Sequence, residues 1–264
     1  MAWYDDLDGV SGAEPLSDAR LEAWPDRAMD ARLHRLRFCP ATLPELYQVA
    51  RHLPLTVIEE TGIEQAGTDQ MGRPCVMVDF RPETLRRPAF DAGGTLQRSY
   101  RPAATRLLPY ITTPEGRVMR LLDRAGPPDI PRPPELQLQL AQMLRAQGFG
   151  ISQLSAAAAI LIAEGLLAPQ DHGNGAREWL PAADAPPPRM DGRPDPLYFL
   201  ALRLLAVLEF SRLHRRETGR DGAAGPGPFS GQLQSLLSRD EALRNQTFLI
   251  QDDVLDFSAF LSPS

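Results

Sequence analysis

The chain contains no lysine: all 28 of its basic residues are arginine. A GC-rich coding sequence accounts for such a bias on compositional grounds, but the chemical consequence stands. A phosphate-binding P-loop lysine, a Schiff-base lysine and a Ser-Lys pair are all excluded. Cysteine is scarce as well, with only Cys39 and Cys75. Neither stands in a CxxC pair or beside a histidine, so both are expected to be buried apolar residues in a reducing compartment. Four histidines, His34, His52, His172 and His214, show no HxH, HxxxH or HExxH spacing. Neither a metal site nor a cofactor is therefore expected. His52 reads as a capping or packing residue at a helix end.

Other absences narrow the field further. Without a GxSxG elbow an α/β-hydrolase serine has no support. Gly93-Gly94 is not a dinucleotide fingerprint, and a turn explains it. Glu59-Glu60 and Asp252-Asp253 are sequence neighbours whose side chains would diverge on a strand, whereas acid-base catalysis needs carboxyls that converge. Aromatic residues make up 7% of the chain, are not interleaved with basic ones, and accompany a net charge of −6. Nucleic acid is an unsuitable partner on both counts. No uninterrupted apolar run reaches the roughly 18 residues of a bilayer span, so no membrane span is expected. The opening Met-Ala-Trp-Tyr-Asp-Asp lacks the charged-then-apolar order of a signal peptide. The expectation is synthesis in the cytoplasm without a cleaved N-terminal signal.

What remains is enough apolar sequence, 43%, for a sizeable core. Residues 1–25 read as an N-terminal arm, with 1–15 acidic and loose. Met29, Leu33 and Leu36 suggest a short amphipathic helix over 26–37. Thr42 with Glu45 forms a capping-box pattern ahead of a helix running to about His52, where Pro54 stops it. Leu55–Ile58, Pro74–Phe80 and Arg117–Leu122 are short, branched and bounded by Gly or Pro, as strands are. Pro127 to Pro134 holds five prolines and forms a stiff connector.

Beyond that connector the period becomes helical. Leu136, Leu140, Met143 and Leu144 mark a helix ending near Gly148. Leu154, Ala158, Leu161 and Gly165 mark a second, with Leu166 and Leu167 continuing its stripe. Residues 173–193 read as loop. Asp195 then caps a strong helix with Pro196 in its first position, running to about Glu217. The basic run Arg212 to Arg216 falls at that helix's end, where cations complement the dipole.

The predicted fold class is α+β, a small antiparallel sheet with packed helices in the N-terminal half and a helical C-terminal half. The domain spans 26–219, mixed over 26–126 and helical over 135–219. Residues 220–264 form a linker and an acidic-hydrophobic tail. In that tail Phe248, Leu249, Ile250, Val254, Leu255, Phe257, Phe260 and Leu261 alternate with Asp252, Asp253 and Asp256, a composition suited to docking in a partner's groove. Folding back onto the body as a strand or short helix, and an uncleaved C-terminal export signal, are the alternatives.

Between two strand-like runs lies Ser99-Tyr-Arg-Pro-Ala-Ala-Thr-Arg-Leu-Leu-Pro-Tyr-Ile111. Tyr100, Arg101, Arg106 and Tyr110 are planar hydrogen-bonding residues gathered in a Pro-punctuated segment. Arginine grips carboxylates in a fork, and tyrosine offers area with one polar tip. The functional reading is a surface for a peptide, a carboxylate or a neighbouring subunit. The structural reading pairs both arginines with local acids such as Asp91 and Glu115, with the tyrosines packed beneath.

At this block the chain resembles the SapC family of bacterial surface-layer-associated proteins. Phe38-Cys-Pro through Glu45, His52-Leu-Pro-Leu55, and Tyr100-Arg-Pro followed by Arg106-Leu-Leu-Pro-Tyr110 match its ordered motifs. Glu164-Gly-Leu-Leu-Ala-Pro169 and the helix Leu197–Leu213 resemble its later elements, so the resemblance covers residues 36–215. The extended N-terminus, the tail and the exclusive use of arginine depart from it. The resemblance implies a non-enzymatic structural or interaction role in a surface or particle-like assembly, through a protein partner or self-association. An accessory protein binding a peptide or carboxylate through Arg101 and Arg106, for a peptide- or amino-acid-modifying enzyme, is the second reading. An enzyme using Asp171 and His172 is a third.

Overall fold

A computed structural model describes residues 3–16, 32–59, 73–91, 95–113, 117–123, 134–171, 177–186 and 195–216. All of them belong to one compact unit, Met1–Ala224; the other unit, Gly225–Ser264, lies outside the described residues. So do the linker, the tail positions Phe248 to Leu261, His172, Glu115 and residues 26–31 of the helix expected over 26–37.

The fold is α+β, built on two antiparallel sheets. Five strands form the larger one: β2 (Phe38–Pro40), β3 (Leu55–Glu59), β4 (Pro74–Asp79), β7 (Leu167–Asp171) and β8 (Arg177–Pro181), in the order β2-β4-β3-β8-β7. The smaller sheet is β1 (Val10–Pro15), β6 (Val118–Asp123) and β5 (Tyr110–Thr112), with β6 in the middle. Proline lacks the N–H that a central strand must donate. Accordingly Pro40 and Pro169 lie on the edge strands β2 and β7, and Pro74 opens β4.

The capping box forms as the sequence implies. A short 3₁₀ turn, Leu43–Glu45, leads into helix α1 (Leu46–Ala50). The Glu45 carboxylate reaches back to accept from the Thr42 N–H at 3.2 Å. Asp195 caps the last helix, α4 (Pro196–Ser211), by accepting from the Leu197 N–H, with Pro196 in the first turn. Helix α2 (Ala103–Arg106) is one turn long.

Three expectations need correction. Residues 3–15 are not a loose arm: Trp3–Asp6 is a 3₁₀ turn and β1 pairs along β6, Ala13 opposite Leu121. The polar composition of β1 misleads because it is an edge strand of mostly half-exposed residues. Second, Gly148 does not end a helix. A single helix, α3, runs from Pro134 to Ala163. Glycine costs a helix interior only about 1 kcal/mol, and here Gly150 allows a close approach. A Cβ on it would sit 3.0 Å from the backbone nitrogen of Leu43. The real stop is Gly165, at φ +69. There the Leu166 N–H bonds to the Leu161 carbonyl and the Gly165 N–H to the Ile162 carbonyl, the pattern of a Schellman cap. Third, Leu167 onward does not continue the helix, the region 135–219 is not all helical, and residues 177–181 are strand and not the expected loop. The chain there turns into a β7–β8 hairpin that joins the larger sheet, Val57 opposite Trp179.

Helix α3 packs on α4 and β4. Its stretch Gln137–Ala163 is long and apolar enough to cross a membrane by length and composition, the one such helix among the described residues. In this fold half of its most apolar 18-residue segment is buried. Leu140, Leu144, Leu154 and Leu161 are all enclosed, and the Thr112 hydroxyl of β5 donates to Gln147 at 3.0 Å.

Candidate functional site

The Tyr/Arg block is organised around a carboxylate that belongs to the chain itself. Glu45, 4% exposed, sits at the start of α1. Its Oε2 accepts from the Tyr100 hydroxyl at 3.0 Å and from the Ala103 N–H, the first residue of α2, at 2.6 Å. Its Oε1 accepts from the Thr42 N–H and hydroxyl. Arg106 Nη2 lies 3.9 Å from Oε2 and 3.2 Å from the Tyr100 oxygen, with its guanidinium 5.4 Å from the Tyr100 ring centre. His52 stacks on that ring, nearly parallel, at 6.4 Å. One acidic residue therefore ties together the capping box, the stretch before α2 and α2 itself.

Burial drives the Glu45 carboxyl above the usual range, partly opposed by the Ala103 N–H, Arg106, Tyr100 and Thr42. Burial, followed by the neighbouring Glu45 charge, likewise raises the Tyr100 phenol. Tyr100 therefore donates, and does not act as a base.

The four sequence-predicted residues are not brought to one open surface. Tyr110, 1% exposed, is a core residue of β5. Tyr100 and Arg106 turn inward to Glu45, while Arg101 is half-exposed. Asp91 accepts from the Thr95 N–H and the Gln97 amide. Glu45 had been read only as a helix cap. Its signal was present, a carboxylate between apolar neighbours before a buried helix, but cap chemistry explained it fully.

A second charged cluster was missed altogether. Arg81, just past β4, makes a fork to Asp79 at 2.9 and 2.8 Å and reaches Glu178 of β8 at 2.9 Å. Arg215, after α4, contacts Glu178 at 2.8 Å and Asp79 at 3.3 Å. The Thr56 hydroxyl donates to Glu178 and that of Thr84 to Asp79. Burial alone would raise the Glu178 carboxyl, but Arg215 and Arg81 hold it down to about 2. Asp79 and Glu178 are at most 1% exposed, so this cluster clamps β4, β8 and the chain after α4.

Two further features have chemistry-bearing residue types. The Ser99 hydroxyl is 3.3 Å from His52 Nδ1 and 3.4 Å from Nε2. Near-equal distances put the oxygen off the carbon between the nitrogens, the wrong alignment for proton transfer from a nucleophile. Cys39 and Cys75 are buried free thiols, and burial pushes Cys39 well above its ordinary value, an inert state. Among the described residues no group of three His, Cys, Asp or Glu side chains could hold a metal ion.

No family model, no curated protein and no solved structure matches this chain.

Proposed function

We propose that this protein is a non-enzymatic interaction or structural component of a bacterial surface or particle-like assembly, of the kind the SapC resemblance implies. One observation carries the reading. The Tyr100 hydroxyl, the Ala103 N–H and Arg106 turn to Glu45 inside the fold, so they fix the shape of this segment and do not present reactive groups. Shape held by internal hydrogen bonds is what an assembly surface needs, because rigid partners lose less freedom on docking. The alternation of apolar and acidic residues from Phe248 to Leu261 supplies a sequence suited to burial against a neighbouring copy.

Light scattering of the full chain and of a version ending at Gly219 tests the proposal. The full chain should run as a multiple of its 29.1 kDa mass, and the shortened chain as a single copy. Equal masses for the two would overturn assembly through the tail.

A further inference from the structure

The arginines of this acidic chain are not evenly neutralised. Four separate segments meet beside the Tyr/Arg block: the end of α1, the stretches 84–87 and 97–99, and the turn after α4. Backbone and side-chain hydrogen bonds fix them together. His214 Nε2 donates to the Ala50 carbonyl at 3.1 Å. The Arg86 N–H bonds to the His214 carbonyl at 2.9 Å, and the Arg216 N–H to the Thr84 carbonyl at 2.8 Å. Arg98 Nη2 donates to the Arg87 carbonyl at 2.6 Å, and Ser99 lies against His52.

This meeting point is basic. His52 is within electrostatic reach of Arg51 and Arg98, His214 of Arg98 and His52, and Arg98 of Arg87. Burial and these like charges push both imidazoles below their ordinary value, with the Ala50 carbonyl partly opposing at His214. No carboxylate figures among the charges that act on these three groups. The nearby acids are engaged elsewhere. Glu83 pairs with Arg37 at 3.1 Å, Asp91 with Thr95 and Gln97, Glu45 with Tyr100, and Asp79 and Glu178 with Arg81 and Arg215. Gathering like charges costs free energy in the isolated chain, and an anionic partner removes that cost.

We infer that the surface formed by Arg51, His52, Arg87, Arg98 and His214 docks an acidic peptide segment of a partner protein. Arginine forks match carboxylates, and the spread of these residues over four segments suits an extended ligand with several charges better than a single small anion. Leu213, 66% exposed, sits between Arg212 and His214, so the peptide that fits carries apolar residues among its acids. This inference rests on the interaction reading and names the partner's chemistry, but its test does not depend on the oligomer mass.

Fluorescence anisotropy with a labelled short peptide of alternating Glu and Leu reads the binding directly. The full chain should bind it saturably, more weakly as salt rises. Reversing Arg51→Glu together with Arg87→Glu, both exposed positions, should weaken binding by about tenfold or more. Arg145→Glu, on the exposed face of α3, should leave it unchanged, and circular dichroism should show both variants folded. The inference fails if the parent does not bind the peptide or if Arg145→Glu weakens it equally. It also fails if oligothymidylate of matching charge binds as tightly.

Discussion

Two buried carboxylates, Glu178 and Glu45, are solvated by this fold in opposite ways. Around Glu178 stand two guanidiniums, at 2.9 and 2.8 Å, and a second carboxylate, Asp79, which they share. Around Glu45 stand a phenol, a threonine hydroxyl and two backbone N–H groups, with a single arginine at 3.9 Å. Full charges at contact distance outweigh burial, so Glu178 is held down to about 2. Neutral dipoles do not outweigh it, so Glu45 is raised. The first arrangement is an ion network that welds β4 to β8. The second is a hydrogen-bond hub that positions a segment of surface.

Removing one partner from the ion network should have the largest effect. Arg81→Met leaves Asp79 and Glu178 sharing Arg215 alone, and should cost about 3–5 kcal/mol in urea unfolding, the usual loss when a buried pair is broken. Acid should act on the same network with a defined sign. Glu178 lies below its ordinary 4.5 in the folded chain, so its stabilisation is complete above about pH 4.5. It is then lost as pH falls towards 2. That contribution is about 3 kcal/mol, and melting temperatures between pH 5 and 2 should fall less steeply in Glu178→Gln than in the parent.

The hub should respond more mildly. Tyr100→Phe removes one donor to a buried carboxylate and should cost about 1.5–3 kcal/mol. Because Glu45 is raised in the folded chain, its pH dependence has the opposite sign: stability is lost as pH climbs through the raised value. Glu45→Gln should therefore flatten the stability profile on the neutral side and leave the acid limb intact. If Glu45→Gln and Glu178→Gln change the same limb, the contrast between the two sites is wrong. The smallest expected effect is Gly150→Ala. Better helix propensity offsets part of the clash with the Leu43 backbone, leaving a net loss of about 1 kcal/mol by calorimetry.

Much of the fold could be read locally. Thr42 with Glu45, Asp195 with Pro196, and the branched runs at Leu55, Pro74 and Arg117 each carry their own chemistry within a few residues, and each forms the element expected. The long-range features were hidden for a physical reason. Pro169 looks like a helix stop because proline breaks helices, but on an edge strand its missing N–H costs nothing. Gly148 looks like a helix end because glycine usually is one, but glycine costs a helix interior only about 1 kcal/mol, and two residues further on Gly150 packs against the Leu43 turn. Arg81, Glu178 and Arg215 are ordinary polar residues at scattered positions, and only the sheet register brings them together. The same holds at the candidate site: Tyr100 and Arg106 drew attention, while their shared partner lies 55 residues before Tyr100.

The central ladder of the larger sheet joins β3 to β8, whose paired hydroxyl and carboxylate, Thr56 and Glu178, are 122 residues apart. A pairing so distant must close a long loop before it gains any contact, and such topologies fold slowly. During synthesis the β3 edge must wait, exposed, until the hairpin emerges from the ribosome. An unpaired apolar strand edge invites association with other chains. The yield of this protein should therefore depend on translation speed and chaperone supply more than its final stability suggests.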